Sequence, residues 1–387
     1  MSPLLTGKIV AESVFERPGT AWFLPMPHRR RKLAALTLLT VCILAMWLRR
    51  RQIQVAESPL VAAQEQSPEG DRIVIRRIGP DRRLTDLATL PGNAGDFVLS
   101  PDKKHLGYIV NFAVWVCNLD GSKSHAVTPV SGRPQLPSFS FSPDGTQLAV
   151  CTDAGSGGPN SLMLYSPSGA PRNLLNSGTT DCKNPAFSPD GSSVIAACDG
   201  GGDPTPLGFN TPAGPYHLVL CPLTGGQPPV NLPARAGTDV DCPAFLPGGI
   251  GLLYVESTLT SAGIYQSDLS GNSPVLLARA SAPVASLECS PDGRSALFSS
   301  AFWDPNGFYQ IGRVGLVSLQ GNYLTNVTAG LHRCGSAWYS SDGRSVYFVR
   351  SPGGIPGYGE LYTSWIDGTH TRALTPMVPM TPVRGSG

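Results

Sequence analysis

A four-residue turn motif recurs six times along this chain and constrains its fold more than any other feature. Three copies read Ser-Pro-Asp-Gly and three are degenerate; in chain order they begin at Ser100, Ser142, Ser188, Leu246, Ser290 and Ser340. Neighbouring copies are 42, 46, 58, 44 and 50 residues apart, a period typical of repeat arrays. Proline presets φ for a turn, aspartate caps the turn backbone and glycine adopts positive φ. Because short apolar runs flank the motif, each copy predicts a β-hairpin.

A second hairpin follows each motif. Its first strand is a short apolar run such as Leu162-Met163-Leu164-Tyr165, and it ends in a Gly-containing turn such as Ser168-Gly169. A further short strand follows the turn in each repeat; an example is Pro274-Val275-Leu276-Leu277, after the turn at Ser270-Gly271. Two hairpins in each period make four antiparallel strands, which is one blade of a β-propeller.

The repeat resembles that of the TolB-like propellers, a WD-like family in which an aromatic residue precedes Ser-Pro-Asp-Gly and Leu-Thr closes the unit. Trp338-Tyr339-Ser340-Ser341-Asp342-Gly343 and Leu374-Thr375 match that pattern, whereas Leu246-Pro247-Gly248-Gly249 departs from it. The resemblance covers residues 71–378 and implies an all-β fold. We expect six blades. Residues 73–85 look like the second half of a blade without its first half, and could close the ring or form a stunted seventh blade, so seven blades are the alternative.

Charge and composition exclude nucleic acid as a partner. The chain has a net charge of +2, but residues 71–387 carry 20 basic and 22 acidic residues, so no basic surface remains on the repeats. The excess of basic residues belongs to the N-terminal region. A charged fraction of 14% is also low for a soluble domain, which has about 25%.

The N-terminal region predicts a membrane anchor. Residues 33–48 are uncharged and lie between His28-Arg29-Arg30-Arg31-Lys32 and Arg49-Arg50-Arg51, whose side chains can extend to the interface. We therefore expect a tail at 1–32, a transmembrane helix at 33–48, a stalk at 49–70, the propeller at 71–378 and a C-terminal tail at 379–387. A cleaved signal peptide is the alternative, but three arginines follow the apolar run and no Ala-x-Ala-like site lies close behind it.

Basic residues flanking the span predict its orientation. Five lie on the N-terminal side, counting Arg17, and three lie on the C-terminal side. The positive-inside rule then places the N-terminus in the cytoplasm and the propeller outside, in the periplasm if the cell is a Gram-negative bacterium.

The sequence contains no recognisable catalytic, cofactor or metal motif. Its six histidines are scattered through different repeats, and Gly-x-Ser-x-Gly, His-Glu-x-x-His and Cys-x-x-Cys are absent. We expect no cofactor and no enzymatic activity. Of the nine cysteines, Cys182 and Cys198 are each eight residues from Asp190. They should face each other across a hairpin, which makes them a candidate disulfide pair.

Two groups of residues are candidates for binding. Asp181, Asp239 and Asp241 should lie just before the innermost strands of adjacent repeats and so rim the central channel, where they could hold a cation or a basic ligand or simply cap their loops. Aromatic residues in the longer loops within a blade should share one face, which suits a partner surface. They are Phe209, Tyr216, Phe302, Trp303, Phe308, Tyr309 and Tyr358.

These patterns favour a membrane-anchored, extracytoplasmic scaffold that binds a protein or a peptidoglycan-associated partner. The alternative is a propeller hydrolase or lyase that acts on a carbohydrate or peptide at the channel mouth. The absence of a nucleophile–base set or metal cluster in the sequence favours the scaffold.

Overall fold

The protein folds as a ring of seven four-stranded antiparallel sheets, in a computed structural model. The structure describes residues 59–67, 70–79, 83–130, 136–153, 158–166, 169–175, 180–199, 216–258, 261–280, 283–303, 309–320, 324–328, 330–350, 359–375 and 380–382. The predicted tail at 1–32 and span at 33–48 lie outside these residues. Among those described, no helix is both long and apolar enough to cross a membrane.

The chain order of the strands defines the blades. Blade 1 contains β1 (Leu60–Ser67), β2 (Gly70–Ile78) and β3 (Leu84–Pro91); blade 2 contains β4 (Gly95–Leu99), β5 (His105–Val110), β6 (Ala113–Asn118) and β7 (His125–Ala126); blade 3 contains β8 (Ser138–Phe141), β9 (Leu148–Thr152), β10 (Ser161–Tyr165) and β11 (Arg172–Asn173); blade 4 contains β12 (Cys182–Phe187), β13 (Ser193–Cys198), β14 (His217–Pro222) and β15 (Val230–Asn231).

The remaining strands complete the ring. Blade 5 contains β16 (Asp239–Phe245), β17 (Leu252–Ser257), β18 (Ala262–Ser267) and β19 (Val275–Ala280); blade 6 contains β20 (Val284–Cys289), β21 (Ser295–Trp303), β22 (Tyr309–Ser318) and β23 (Leu324–Asn326); blade 7 contains β24 (Cys334–Tyr339), β25 (Ser345–Arg350), β26 (Glu360–Trp365) and β27 (Arg372–Ala373); β28 (Met380–Pro382) returns to blade 1. A short 3₁₀ turn at Pro247–Gly249 replaces the Ser-Pro-Asp-Gly turn of blade 5.

The prediction of six blades was wrong because blade 1 has no turn motif. In blades 2 to 7 the motif joins the innermost strand to the second strand. In blade 1 the innermost strand is β28 and the second is β1, with Ala62 opposite Thr381, so these two strands come from opposite ends of the propeller and no turn connects them. The propeller therefore includes β1, within the segment predicted as a stalk, and β28, beyond the predicted boundary at 378.

The core consists of apolar clusters between adjacent blades. One cluster joins Ile75 of blade 1 to Tyr108 of blade 2, and another joins Val61 of blade 1 to Trp338 of blade 7. Clusters also lie at the other five blade junctions. Because both faces of a blade are covered, the second strands are buried along their length, as in β9, where all five residues are buried. This explains why these strands read as uninterrupted apolar runs.

The Asp of each Ser-Pro-Asp-Gly motif holds its own turn together. In blade 4 the Ser188 hydroxyl donates to Asp190 Oδ1 at 2.6 Å, the Ser192 N–H donates to the same oxygen at 3.0 Å, and Gly191 has φ of 71°. The hydrogen bond from Ser188 and those from Ser192 lower the pKa of Asp190 to about 2. This is the structural role that the sequence predicts for these aspartates.

These turns predict a loss of stability in acid. The pKa values of Asp144, Asp190 and Asp292 are all lowered, in each case chiefly by the hydrogen bond from the motif serine. A lowered pKa means that the carboxylates stabilise the fold above their unfolded pKa, near 4, and that this contribution disappears as the pH falls toward 2. The triple change Asp144→Asn, Asp190→Asn and Asp292→Asn should lower the urea midpoint at pH 6 and much less at pH 2.5. A deficit of equal size at both pH values would contradict this account.

Candidate functional site

Two of the predicted channel-rim carboxylates link neighbouring blades. Asp181 Oδ1 accepts the N–H of Asn160 at 2.7 Å, and Asp239 Oδ1 accepts the N–H of Tyr216 at 3.0 Å. In both cases an Asp at the start of an innermost strand binds the residue before the third strand of the preceding blade. Among the described residues, no group of three or more His, Cys, Asp or Glu is arranged to hold a metal ion. The geometry of Asp181 and Asp239 is thus that of loop capping.

The third carboxylate, Asp241, belongs to a polar group on the innermost strands of blades 3 to 5. The Lys183 ammonium lies 2.8 Å from Asp241 Oδ2, and the Asn184 side-chain amide donates to Asp241 Oδ1 at 2.8 Å. The Asn184 N–H in turn donates to Ser138 Oγ at 3.0 Å. Asn184 has φ of 52°, at a bulge in β12 that permits this arrangement.

Sequence reasoning missed Lys183 and Asn184, although a signal was present. Lys183 and Asp241 each stand five residues before the first residue of their turn motif, so they occupy the same position on adjacent innermost strands. Opposite charges at equivalent positions of neighbouring strands predict an ion pair. The side chains of Lys183 and Asp241 remain 32% and 25% exposed, so the pair is accessible to solvent.

The structure corrects the prediction for Tyr216, which is 5% exposed and is therefore a core residue rather than part of a partner surface. Its hydroxyl donates to Asp181 at 3.0 Å, and the Lys183 ammonium lies 4.0 Å from the centre of its ring. Burial is the main cause that raises the pKa of Tyr216, followed by the charge of Asp181, so the phenol stays protonated and keeps donating. Tyr216 thus connects the inter-blade links to the Lys183–Asp241 pair.

Three of the aromatic candidates lie at the end of a long hairpin instead of in a loop. Phe302 and Trp303 end β21, and Tyr309 begins β22, with Trp303 opposite Tyr309. In blade 7 the corresponding strand, β25, stops at Arg350, which is the counterpart of Ser300. β21 therefore continues three residues further than its counterpart. Phe209, Phe308 and Tyr358 lie outside the described residues, as do the side chains of Phe302, Trp303 and Tyr309.

A bulge at the base of this hairpin changes its direction. One extra residue is accommodated in β22 between Val314 and Ile311, opposite Ser299 and Ala301. Ser300 Oγ accepts the N–H of Arg313 at 3.1 Å and so fills the bulge. Gly312 lies against Ser300, since a Cβ on that glycine would come within 2.8 Å of Ser300 Oγ. Bulges of this kind bend a strand and increase its local twist.

The eight cysteines in the described part of the chain divide into one disulfide and six thiols. Cys182 and Cys198 are opposite each other in the β12–β13 register, and the structure joins them in a disulfide. The six other described cysteines are free, and five of them are buried. Burial raises the pKa of Cys117 to about 11 and those of Cys221, Cys289 and Cys334 to about 12. These thiols are protonated at neutral pH and lack the thiolate character of a nucleophile.

Two clefts open between blades in the described part of the chain. The larger lies between blades 2 and 3, has a volume of about 480 Å³ and is lined mainly by apolar groups, with His105, His125 and Tyr165 among them. The smaller, of about 180 Å³, lies between blades 5 and 6 and contains Arg279 and Arg313. Arg279 is near the end of β19 and Arg313 is at the bulge of β22, so this cleft lies beside the base of the long hairpin.

Comparisons with known proteins identify the fold. No model of a known protein family matches the chain, and neither does any curated protein. A puromycin-hydrolyzing peptidase from Mycobacterium tuberculosis is 14% identical with a TM-score of 0.56, over 84% of this chain and 55% of the peptidase. An oligogalacturonate lyase from Vibrio parahaemolyticus is 12% identical with a TM-score of 0.55, over 79% of this chain and 91% of the lyase.

A TolB from Acinetobacter baumannii is also similar, at 14% identity and a TM-score of 0.47, over 83% of this chain and 80% of the TolB. At such identities the likeness concerns the fold alone. The seven four-stranded sheets make the chain an all-β propeller, and its chemistry has to be argued from its own residues.

Proposed function

We propose that this protein is a membrane-anchored, extracytoplasmic scaffold of the TolB-like kind, whose propeller binds a protein partner at the end of the β21–β22 hairpin. The observation that carries the proposal is the length of this hairpin, which continues beyond the blade and has Phe302, Trp303 and Tyr309 at its end. Aromatic residues on a paired strand present a large contact area at little cost in conformational entropy.

The channel side supports binding rather than catalysis. Asp181 and Asp239 are engaged in links between blades, and Asp241 is paired with Lys183. Among the described residues the free cysteines are protonated and no metal-binding cluster is present. The anchor in the proposal rests on residues 33–48 and their flanking arginines, and the excess of basic residues on the N-terminal side favours a propeller outside the cytoplasm.

A site-specific cross-linking experiment tests the proposal. A photoreactive phenylalanine analogue replaces Trp303 in the full chain, and the matched control replaces Trp365, which is 51% exposed at the β26–β27 turn on the opposite face. Illumination of intact membranes should yield a discrete protein adduct from position 303 and not from 365. In spheroplasts, the adduct should be degraded by a protease added outside.

The corresponding variants measure the energy of the contact. One aromatic anchor contributes ~2 kcal/mol or more to an interface, which is about 30-fold in affinity, so Trp303→Ala with Tyr309→Ala should weaken capture of the cross-linked partner by more than that. The melting temperature should change by less than about 2 °C, and Trp365→Ala should leave capture intact. Unfolding of the double variant would show that the rings belong to the core, and undiminished capture would place the partner elsewhere.

A second candidate, a hydrolase or lyase acting at the channel, is favoured by one observation: Lys183 and Asp241 form a partly exposed ion pair on the innermost strands, and the Lys183 ammonium lies against the ring of the buried Tyr216. If this group acts on a carbohydrate or peptide, turnover of polyuronates or peptides by the purified protein should be abolished by Lys183→Met. Activity that survives this change, or no turnover by the wild type, would remove the candidate.

A further inference from the structure

The cleft between blades 5 and 6 has an unusual charge distribution. Its lining contains Arg279 and Arg313 together with hydroxyl and amide side chains, and no carboxylate. Both arginines are on exposed positions of their strands. A cleft lined by two arginines and no carboxylate has a positive potential that attracts anions.

Neither guanidinium has an ion-pair partner among the described residues, whereas several other arginines of this protein do. Arg72 and Arg76 pair with Glu65, Arg235 lies near Glu256, and Arg350 lies near Glu360. Two arginines that line one cleft repel each other unless an anion lies between them. An anion at this position would therefore supply the missing counter-charge.

The rest of the lining provides additional donors and an apolar floor. Asn326 Oδ1 accepts from the N–H and the hydroxyl of Thr328, which leaves its NH₂ group available to a ligand. The Phe298 ring lies over Gly315, its cross-strand neighbour, where a Cβ would come within 2.6 Å of the ring. Because Gly315 has no side chain, the far end of the Phe298 ring comes close to the neighbouring strand, and this buried ring contributes an apolar wall to the cleft.

We propose that this cleft binds an oxyanion, a carboxylate or a phosphate group, between Arg279 and Arg313. The guanidinium fork matches both groups through paired N–H donors, and a volume of about 180 Å³ accommodates the anionic group with a short stem. The site does not include the proposed partner surface at the hairpin end, since its residues belong to β19, the bases of β21 and β22, and β23.

Titration of the purified full chain tests the site. Inorganic phosphate and acetate serve as probes, and isothermal titration is carried out at constant ionic strength with chloride as the reference anion. Arg279→Gln with Arg313→Gln should weaken binding of the preferred probe by at least about tenfold, because charge-assisted hydrogen bonds are lost. The control, Arg294→Gln with Arg344→Gln, removes the same charge from two exposed positions at turns of the opposite face and should bind normally.

The outcomes separate the possibilities. Stronger binding of phosphate identifies a phosphate site, and stronger binding of acetate identifies a carboxylate site. Arg279→Lys with Arg313→Lys keeps both charges but removes the forks, and should lower affinity while leaving the melting temperature unchanged. Equal affinity for the wild type and the Arg279→Gln, Arg313→Gln variant, or failure of both probes to bind the wild type at millimolar concentration, would overturn the proposal.

Discussion

A chain that ends before Met380 is expected to melt roughly 10 °C or more below the full protein, because the ring can no longer close. β28 supplies the innermost strand of blade 1 and pairs with Val61, Ala62 and Ala63 of β1. Without it the backbone of β1 becomes an exposed edge, and Val61, which belongs to the apolar cluster between blades 7 and 1, loses its strand partner. Thermal unfolding followed by circular dichroism measures the effect.

The matched control is a chain that ends after Val383, which keeps β28 and should melt like the full protein. The shorter chain should also associate, because an exposed strand edge pairs with other copies. Light scattering measures the molecular mass and so detects this association. If the two truncations have equal melting temperatures and equal molecular masses, β28 is not needed for closure.

Loss of the Cys182–Cys198 disulfide is expected to reduce the free energy of unfolding by ~3 kcal/mol on loop-entropy grounds. The two residues are separated by 16 positions and are opposite each other in β12 and β13. Cys198→Ala removes the bond. Urea unfolding of the wild type and the variant under oxidising conditions measures the difference in the free energy of unfolding. A non-reducing peptide map of the wild type should recover Cys182 and Cys198 in one linked peptide.

Cys221→Ala is the matched control for this experiment. Cys221 is buried in the same apolar cluster as Cys182 and Cys198, but its thiol is free. This change removes one buried sulfur and no cross-link, so it should reduce stability by only about 1 kcal/mol. Equal losses for Cys198→Ala and Cys221→Ala, or rapid alkylation of Cys182 in the native protein, would contradict a structural role for the bond.

Much of the candidate site could be predicted where neighbouring residues decide the geometry. The eight-residue offsets from Asp190 place Cys182 opposite Cys198, as the register has it. An alignment of the repeats would also have predicted the Lys183–Asp241 pair, since the two residues stand at the same offset from their motifs. By contrast, Tyr216 follows a long Gly- and Pro-rich segment and was predicted as exposed. Its burial depends on Asp181 and Lys183, which come from the chain more than 30 residues earlier.

By itself, the sequence determined the repeating unit: six turn motifs specify hairpins because serine, proline, aspartate and glycine act within a few residues of one another. The sequence did not determine the number of blades. The innermost strand of blade 1 is β28, which pairs with β1 from the other end of the propeller, so no turn motif marks this blade. Only the tertiary structure shows that β28 closes the ring and that Arg279 and Arg313 line the same cleft. It also shows that the β21–β22 hairpin is longer than the corresponding hairpin of blade 7. The physical reason is that turns follow from local backbone preferences, whereas closure and clefts depend on which blades are brought side by side.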